Sequence, residues 1–297
     1  MSLIGEALLK ALVLLKQQQS RRVLDSRGDT YEDYFRWQYE SSPKLFAKYE
    51  GLDLAGKSVL EIGCGIGGRT AWLAAQGTTR AVGIDINAGE IASAAQLCAK
   101  LYPSLTPRVE YRRSEEDKPL ELGQFDYVLL VDSMEHVVSP LSILRLAYQY
   151  TKPGGSCYFG TIGWYHHAAS HTGLFPFATV FFSDETILNV MRWHVSRPNY
   201  IPSRFDSVPP VERWRGIYDL RDRPNEHLNK ITIRQMKRLM RYNIFGGAEM
   251  HVFGFGSRAL RPLRPMSRVP LLQEMFHSYF VVRLEKAERS VRDPLQG

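Results

Sequence analysis

The chain has 297 residues, 44% of them hydrophobic, which allows one large folded domain, or one domain with an insertion, and excludes a disordered or fibrous chain. Its formal net charge of +7 favours an acidic partner, but the basic residues are spread over several segments instead of gathering with stacking aromatics, so nucleic acid is not expected. Cys64, Cys98 and Cys157 lie far apart with no C-x-x-C pair, which argues against a disulfide framework or a zinc site and points to the reducing cytoplasm.

Ser2–Gln19 is dense in Leu, Ala and Ile and reads as a helix with apolar residues around much of its circumference. It is too short and too charged for a transmembrane span, and it lacks the leading basic segment and cleavage site of a signal peptide. Packing on its own domain, or on a second copy in a homodimer, is favoured over docking at a membrane interface. Tyr31 to Tyr49, with Tyr34, Phe35, Trp37, Tyr39 and Phe46, is a second, aromatic helical region suited to core packing.

From residue 57 to 162 strand and helix patterns alternate, which gives a parallel sheet with helices on both faces. Strands are expected at Val59–Ile62, Ala81–Ile84, Val109–Arg112, Phe125–Val131 and Ser156–Ile162, with helices at Thr70–Gln76, Gly89–Leu101 and Leu141–Tyr150. The first strand stops at Gly63, Gly65, Gly67 and Gly68. Glycine is needed where the backbone takes φ > 0 or touches a ligand, and the helix that follows turns free N–H groups toward an anion. Gly63, Gly65 and Gly68 also satisfy the dinucleotide pattern G-x-G-x-x-G, with Asp85 at about the expected ~20 residues beyond. In such sheets ligands bind beyond the carboxyl ends of the strands, which puts the glycine turn, Asp85, Ser114–Glu115 and Asp132 at one edge.

Residues 163–229 are the least regular part, rich in Pro, Arg and aromatics, and long connections of this kind are usually lids or binding loops. A helix from Ser183 to Trp193, with Ser183 as N-cap, is expected inside it. Lys230 to Tyr242 reads as the last core helix, capped by Thr232, with Arg234, Lys237, Arg238 and Arg241 on a solvated face. Ala248–Phe255 and Ser278–Leu284 read as strands, joined through a basic, solvated Arg261–Arg268 connection.

Glu61 precedes the first glycine by two, giving E-x-G-x-G-x-G. With A-V-G-I-D at 81–85, Q-F-D-Y-V-L-L-V at 124–131, the following D-S-M-E-H-V, and a K-P-G-G turn at 152–155 that introduces the fifth strand, residues 57–162 resemble the class I S-adenosylmethionine-dependent methyltransferases. The resemblance implies an α/β, Rossmann-like fold with a mostly parallel seven-stranded sheet, and S-adenosyl-L-methionine as cofactor. It implies Glu61 on the cofactor's amino group, the Gly63, Cys64, Gly65 and Gly67 turn beneath its carboxylate and ribose, and Asp85 on the ribose hydroxyls. Ile86 would pack on the adenine, Ser114 and Glu115 face the adenine amino group, and Asp132 and Met134 lie near the sulfonium. Cys64 is a small residue tolerated beside the cofactor. Four segments follow: 1–50, an N-terminal helical extension; 51–162, the cofactor core; 163–229, an inserted substrate lid; and 230–297, the last helix and an antiparallel pair closing the sheet.

Methyl transfer to oxygen or nitrogen usually needs a base, and His136, at the start of a helix next to the cofactor edge, with His167 and His166 just past strand five, are the candidates; holding the partners in near-attack geometry without a base is the alternative. His166, His167 and His171 lack a nearby acid, so no metal is expected. The E-H pair is also similar to that of cyclopropane fatty acid synthases, but those carry a histidine in strand five where this chain has Gly160. The expected activity is methyl transfer to O, or next N, of a small or medium-sized, partly apolar acceptor such as a secondary metabolite or glycan sugar. The acceptor pocket falls in 163–218, where Trp164, Tyr165, Phe175, Phe177, Phe181, Phe182, Trp193, Trp214 and Tyr218 supply apolar area and Arg192, Arg197, Arg204, Arg213 and Arg215 charge. The alternatives are a nicotinamide-dependent oxidoreductase and a non-catalytic scaffold binding a partner or membrane.

Overall fold

A computed structural model describes residues 2–19, 30–115, 119–169, 174–198, 229–241, 244–256 and 260–288. His171, Arg204, Arg213, Trp214, Arg215 and Tyr218 lie outside them.

Seven strands form one sheet: β1 (Ser58–Ile62), β2 (Arg80–Asp85), β3 (Val109–Arg113), β4 (Phe125–Val131), β5 (Thr151–Thr161), β6 (Gly247–Phe253) and β7 (Tyr279–Glu285), in the spatial order β3-β2-β1-β4-β5-β7-β6. β1 to β5 are mutually parallel, and β7 runs antiparallel between β5 and β6. The apolar runs explain this arrangement: Val59, Leu60, Val128, Leu129, Leu130 and Phe159 are buried, as strands covered on both faces require. The order reverses between β1 and β4, and the carboxyl ends of those strands frame the crevice where such sheets hold ligands.

The α-helices among the described residues are α1 (Ser2–Gln19), α2 (Tyr31–Phe46), α3 (Gly68–Ala75), α4 (Ala88–Leu101), α5 (Pro140–Tyr150), the short α6 (Ala178–Phe181), α7 (Asp184–Val195) and α8 (Ile233–Arg241). Their starts follow local chemistry. Thr30 and Asp33 form a reciprocal capping box on α2, Asn87 caps α4 by accepting from the Gly89 and Glu90 N–H groups, and Ser183 caps α7 by accepting from Thr186. Thr232 Oγ1 accepts from the Gln235 N–H at 3.1 Å in the first turn of α8.

Two expectations need correction. The K-P-G-G stretch is not a turn ahead of a strand: β5 begins at Thr151 and carries it as an irregularity, its register against β4 shifting between Phe125 and Tyr127. His136 does not begin a core helix either. It ends a separate 3-10 turn, Met134–His136, because Ser139 as N-cap and Pro140 at the first position start α5 afresh.

α1 packs along α7, where Leu9, Val13, Ile187, Val190 and Met191 form a core of their own with the rings of Trp164, Phe175, Phe182 and Trp193 against it. Those four rings therefore fasten the segment after β5 to α1. No helix among the described residues is long and apolar enough to cross a membrane.

Candidate functional site

Gly63, Gly65 and Gly67 all have positive φ, 76°, 54° and 80°. At Gly63 a Cβ would stand 2.5 Å from Ser133 Oγ, and at Gly67 2.3 Å from the Tyr111 ring, so any larger residue would be both strained and obstructed. The Gly63 and Cys64 N–H groups donate to Ile84 O, tying the turn to β2. α2 closes over the start of α3: Gln38 Oε1 accepts from the Gly68 N–H at 3.0 Å. The N-terminus of α3 is therefore not wholly available to an anion, and one of its free donors is satisfied from within the chain.

Glu61 is fully buried. Its Oε2 accepts from Thr70 Oγ1 at 2.6 Å, while Oε1 is buried without a hydrogen-bond partner. Burial, opposed by nearby Arg69 and by the Thr70 bond, pushes its carboxyl up to about 7. Arg69, in the first turn of α3, is also buried and pairs with Asp132 at 2.7 Å, leaving Nε without a partner. Burial works against its charge, but Asp132 and other anionic neighbours outweigh it and raise the guanidinium. Asp132 itself sits at φ 51°, a conformation rare outside glycine, at the tip of β4.

Asp85 uses both oxygens on the backbone: Oδ2 accepts from the Gly65 N–H at 2.8 Å and Oδ1 from the Asn87 N–H at 2.9 Å. It thus braces the glycine turn, and the cap of α4 is Asn87. Glu90, one turn into α4, faces the same turn, since a Cβ on Gly65 would lie 2.9 Å from its Oε2. Burial and then the Asp85 charge push Glu90 up to about 7. Ser114 is buried and its N–H donates to Asp85 O at 2.9 Å, at the tip of β3. Ile86 is half-buried and Glu115 exposed.

Other candidates are placed differently. The Cys64 side chain is buried against β2, where a Cβ on Gly83 would meet its Sγ at 2.8 Å, and burial raises its thiol. The Met134 side chain is fully buried within the core beneath the sheet edge, and its carbonyl accepts from Asn229 Nδ2. Neither side chain lines the open edge.

Next to Asp132, Gly160 opens space for two phenols. Tyr49 Oη and Tyr279 Oη lie 3.2 Å apart, and a Cβ on Gly160 would stand 1.9 Å from the first and 2.6 Å from the second. Lys48 Nζ lies 4.6 Å from the Tyr279 ring centre, and burial lowers its ammonium.

His166 and His167 belong to a separate cluster in the segment after β5. Their ring centres are 4.0 Å apart, and His277 lies 5.1 Å from His166. His277 is fully buried, its Nε2 accepting from the Gly163 N–H and its Nδ1 bonded to Gln273 O, and burial depresses it to about 4. Burial also lowers His167. His136 is half-buried on its 3-10 turn. Among the described residues no group of three or more His, Cys, Asp or Glu is arranged to hold a metal ion. Arg192 bonds Asn189 within α7, and Arg197, just past the end of that helix, lies over the Trp193 ring.

The edge that results pairs an unsatisfied buried carboxylate oxygen with an unsatisfied buried guanidinium nitrogen beside a Cβ-free turn. These fit the ammonium and carboxylate of an amino-acid tail. A pyrophosphate over the same glycines would come near the buried carboxyl of Glu61 and the carboxyl of Glu90, which disfavours the dinucleotide reading.

Residues 34–243 match the family model described as "Methyltransferase domain". A ubiquinone biosynthesis O-methyltransferase of Pseudomonas savastanoi pv. phaseolicola is 39% identical over 115 residues, 38% of this chain and 47% of the relative. The Pseudomonas putida F1 protein of the same name is 38% identical over the same length. The chain thus spans about half the length of the curated relatives it matches. Among solved structures, an S-adenosylmethionine-dependent methyltransferase from Mesorhizobium loti superimposes with a TM-score of 0.50 at 18% identity, covering 83% of this chain and 97% of that one. Phosphoethanolamine N-methyltransferase 2 of Haemonchus contortus, with S-adenosyl-L-methionine bound, gives 0.52 at 15% identity over 89% of this chain and 58% of its own. These two likenesses concern the fold.

Proposed function

The chain belongs to the methyltransferase-domain family, and on that premise we propose that it binds S-adenosyl-L-methionine across the carboxyl ends of β1, β2 and β4 and methylates a small or medium-sized, partly apolar acceptor. Bound there, the cofactor supplies a sulfonium-activated methyl group. Glu61 Oε1 would accept from its ammonium, Arg69 Nε would donate to its carboxylate, and the Gly63–Gly67 backbone would pass beneath. Asp85 would accept from the ribose hydroxyls, with Ile86 and Ser114 toward the adenine. The observation that carries this reading is the pair of unsatisfied, oppositely charged atoms on Glu61 and Arg69.

Oxygen is the preferred acceptor atom, with nitrogen second; the O-methyltransferase name of the Pseudomonas relatives supports that order. A secondary metabolite or glycan sugar is the acceptor class that the aromatic and arginine content of residues 163–218 suggests. Lys48, Tyr49 and Tyr279 beside Asp132 offer the acceptor hydrogen-bond donors and positive charge. For the proton, His136 stands nearest in sequence to the Asp132 edge, while burial lowers His167 and so favours its proton-accepting form.

Thermal melting with added ligands tests the assignment. S-adenosylhomocysteine should raise the melting temperature and NAD should leave it unchanged; the reverse pattern would return the chain to the oxidoreductase reading, and no response to either would favour the scaffold.

A further inference from the structure

The outer face of α1 carries an apolar stripe. Leu3 and Ile4 are each 80% exposed, Leu15 58%, Leu8 53% and Leu14 40%, and Ala7 and Ala11 between them are exposed too. The polar contacts of the helix are turned the other way. Glu6 accepts from Asn189 of α7 at 2.8 Å, Lys10 pairs with Glu6 at 3.8 Å and lies 5.7 Å from the Trp193 ring centre, and Lys16 is near enough to His194 of α7 to help depress it. A surface helix ordinarily buries its apolar stripe and shows its charges to water. α1 buries Leu9 and Val13 and shows an uncharged face instead.

Along that face Ile4, Leu8, Ala11 and Leu15 follow a four-three-four spacing, the seam along which two helices pack knobs into holes. We propose that the occupant is a second copy of this chain, which lays its own α1 against the stripe as a two-fold helix pair. Across a two-fold axis the same stripe serves both partners, each residue meeting its counterpart's neighbour reciprocally. The stripe has no charge, so pairing it with itself sets no like charges together. An anionic membrane would instead be met by Lys or Arg turned toward the headgroups, whereas Lys10 and Lys16 are drawn back against α7. Five large side chains at these exposures offer on the order of 500 Å² per protomer, so the pair buries about 1,000 Å², the size at which specific interfaces begin.

The test is the mass of the full chain in solution by sedimentation velocity at about 50 μM, where a pair with a dissociation constant of about 1 μM is mostly dimeric. Wild type should run at twice its 34.0 kDa, Leu8→Glu at the single-chain mass with unchanged far-UV circular dichroism, and Leu271→Glu, which alters an 86% exposed leucine elsewhere, at the doubled mass. Should Leu8→Glu aggregate, the milder pair Ile4→Ala with Leu8→Ala should weaken the dimer at least tenfold, and an unchanged dissociation constant would overturn the proposal. A wild-type monomer overturns it, and if that monomer also sediments with phosphatidylglycerol vesicles the occupant is the membrane. A dimer that survives Leu8→Glu intact overturns it as well, since the interface would then lie elsewhere.

Discussion

Glu61→Gln should make the ligand-free protein more stable and the ligand-bound protein harder to form. Glu61 is buried with one oxygen unsatisfied, and its carboxyl is pushed from 4.5 up to about 7. A group whose pKa is raised in the folded state contributes stability in full below its unfolded pKa and loses it as pH rises through the folded one. The window is therefore pH 4.5 to 7, and above it the ionised side chain costs about 3 kcal/mol. Glutamine keeps an oxygen for Thr70 Oγ1 and carries no charge, but its amide hydrogens lack a partner, so roughly 1–3 kcal/mol should be recovered at pH 8. That corresponds to a rise in Tm of roughly 2–8 °C for a chain of this size, falling to zero or slightly below it at pH 4.5, where only the unpartnered amide remains. The S-adenosylhomocysteine shift should fall sharply in the same variant, because the acceptor for the ammonium is gone. Scanning calorimetry at pH 4.5 and 8, with and without ligand, reads all four quantities. A variant destabilised equally at both pH values, or one that keeps its full ligand shift, would refute the reasoning.

Asp85→Ala should abolish the S-adenosylhomocysteine shift and cost about 1–3 kcal/mol, because the Gly65 and Asn87 N–H groups lose their acceptors; an intact shift in melting experiments would remove Asp85 from the site. Gly160→Ala should destabilise by several kcal/mol through collision with Tyr49 Oη, and Tyr49→Phe in the same chain should recover part of the loss in urea unfolding. His277 is depressed from 6.5 to about 4, so its contribution is whole above pH 6.5 and fades as pH falls toward 4, by about 3 kcal/mol. The pH dependence of wild-type urea unfolding over that range should flatten in His277→Gln. His136→Ala and His167→Ala, assayed for methyl transfer at saturating cofactor, should separate the base from the bystander by a drop of about 10²–10⁴-fold in one of them; wild-type turnover in both would favour a mechanism without a base.

What could be read from the chain was what is local. Alternating apolar runs gave the parallel strands, the glycines gave the turn, and Ser183 and Thr232 marked helix starts because a cap is decided within three residues. The residues that complete the edge are long-range. Arg69 follows the glycines as an unremarkable helix residue, and only the fold brings Asp132 to it. Gln38 meets Gly68 across 30 residues of chain, and Tyr49 meets Tyr279 across 230. Nothing local in the sequence marks Gly160, because what forbids a side chain there is the close approach of two phenols from distant parts of the chain. Cys64 and Met134 sit at the right positions along the chain, but strand and turn geometry aim their side chains into the core.

The central claim is that Glu61 and Arg69 hold the two charges of an amino-acid tail. Titration calorimetry with S-adenosylhomocysteine and with 5′-methylthioadenosine, which keeps the nucleoside and lacks that tail, tests it most directly. Wild type should favour the former by about 100-fold, close to 3 kcal/mol, and Arg69→Met should erase most of the difference. Equal affinity for the two ligands in the wild-type protein would contradict the account.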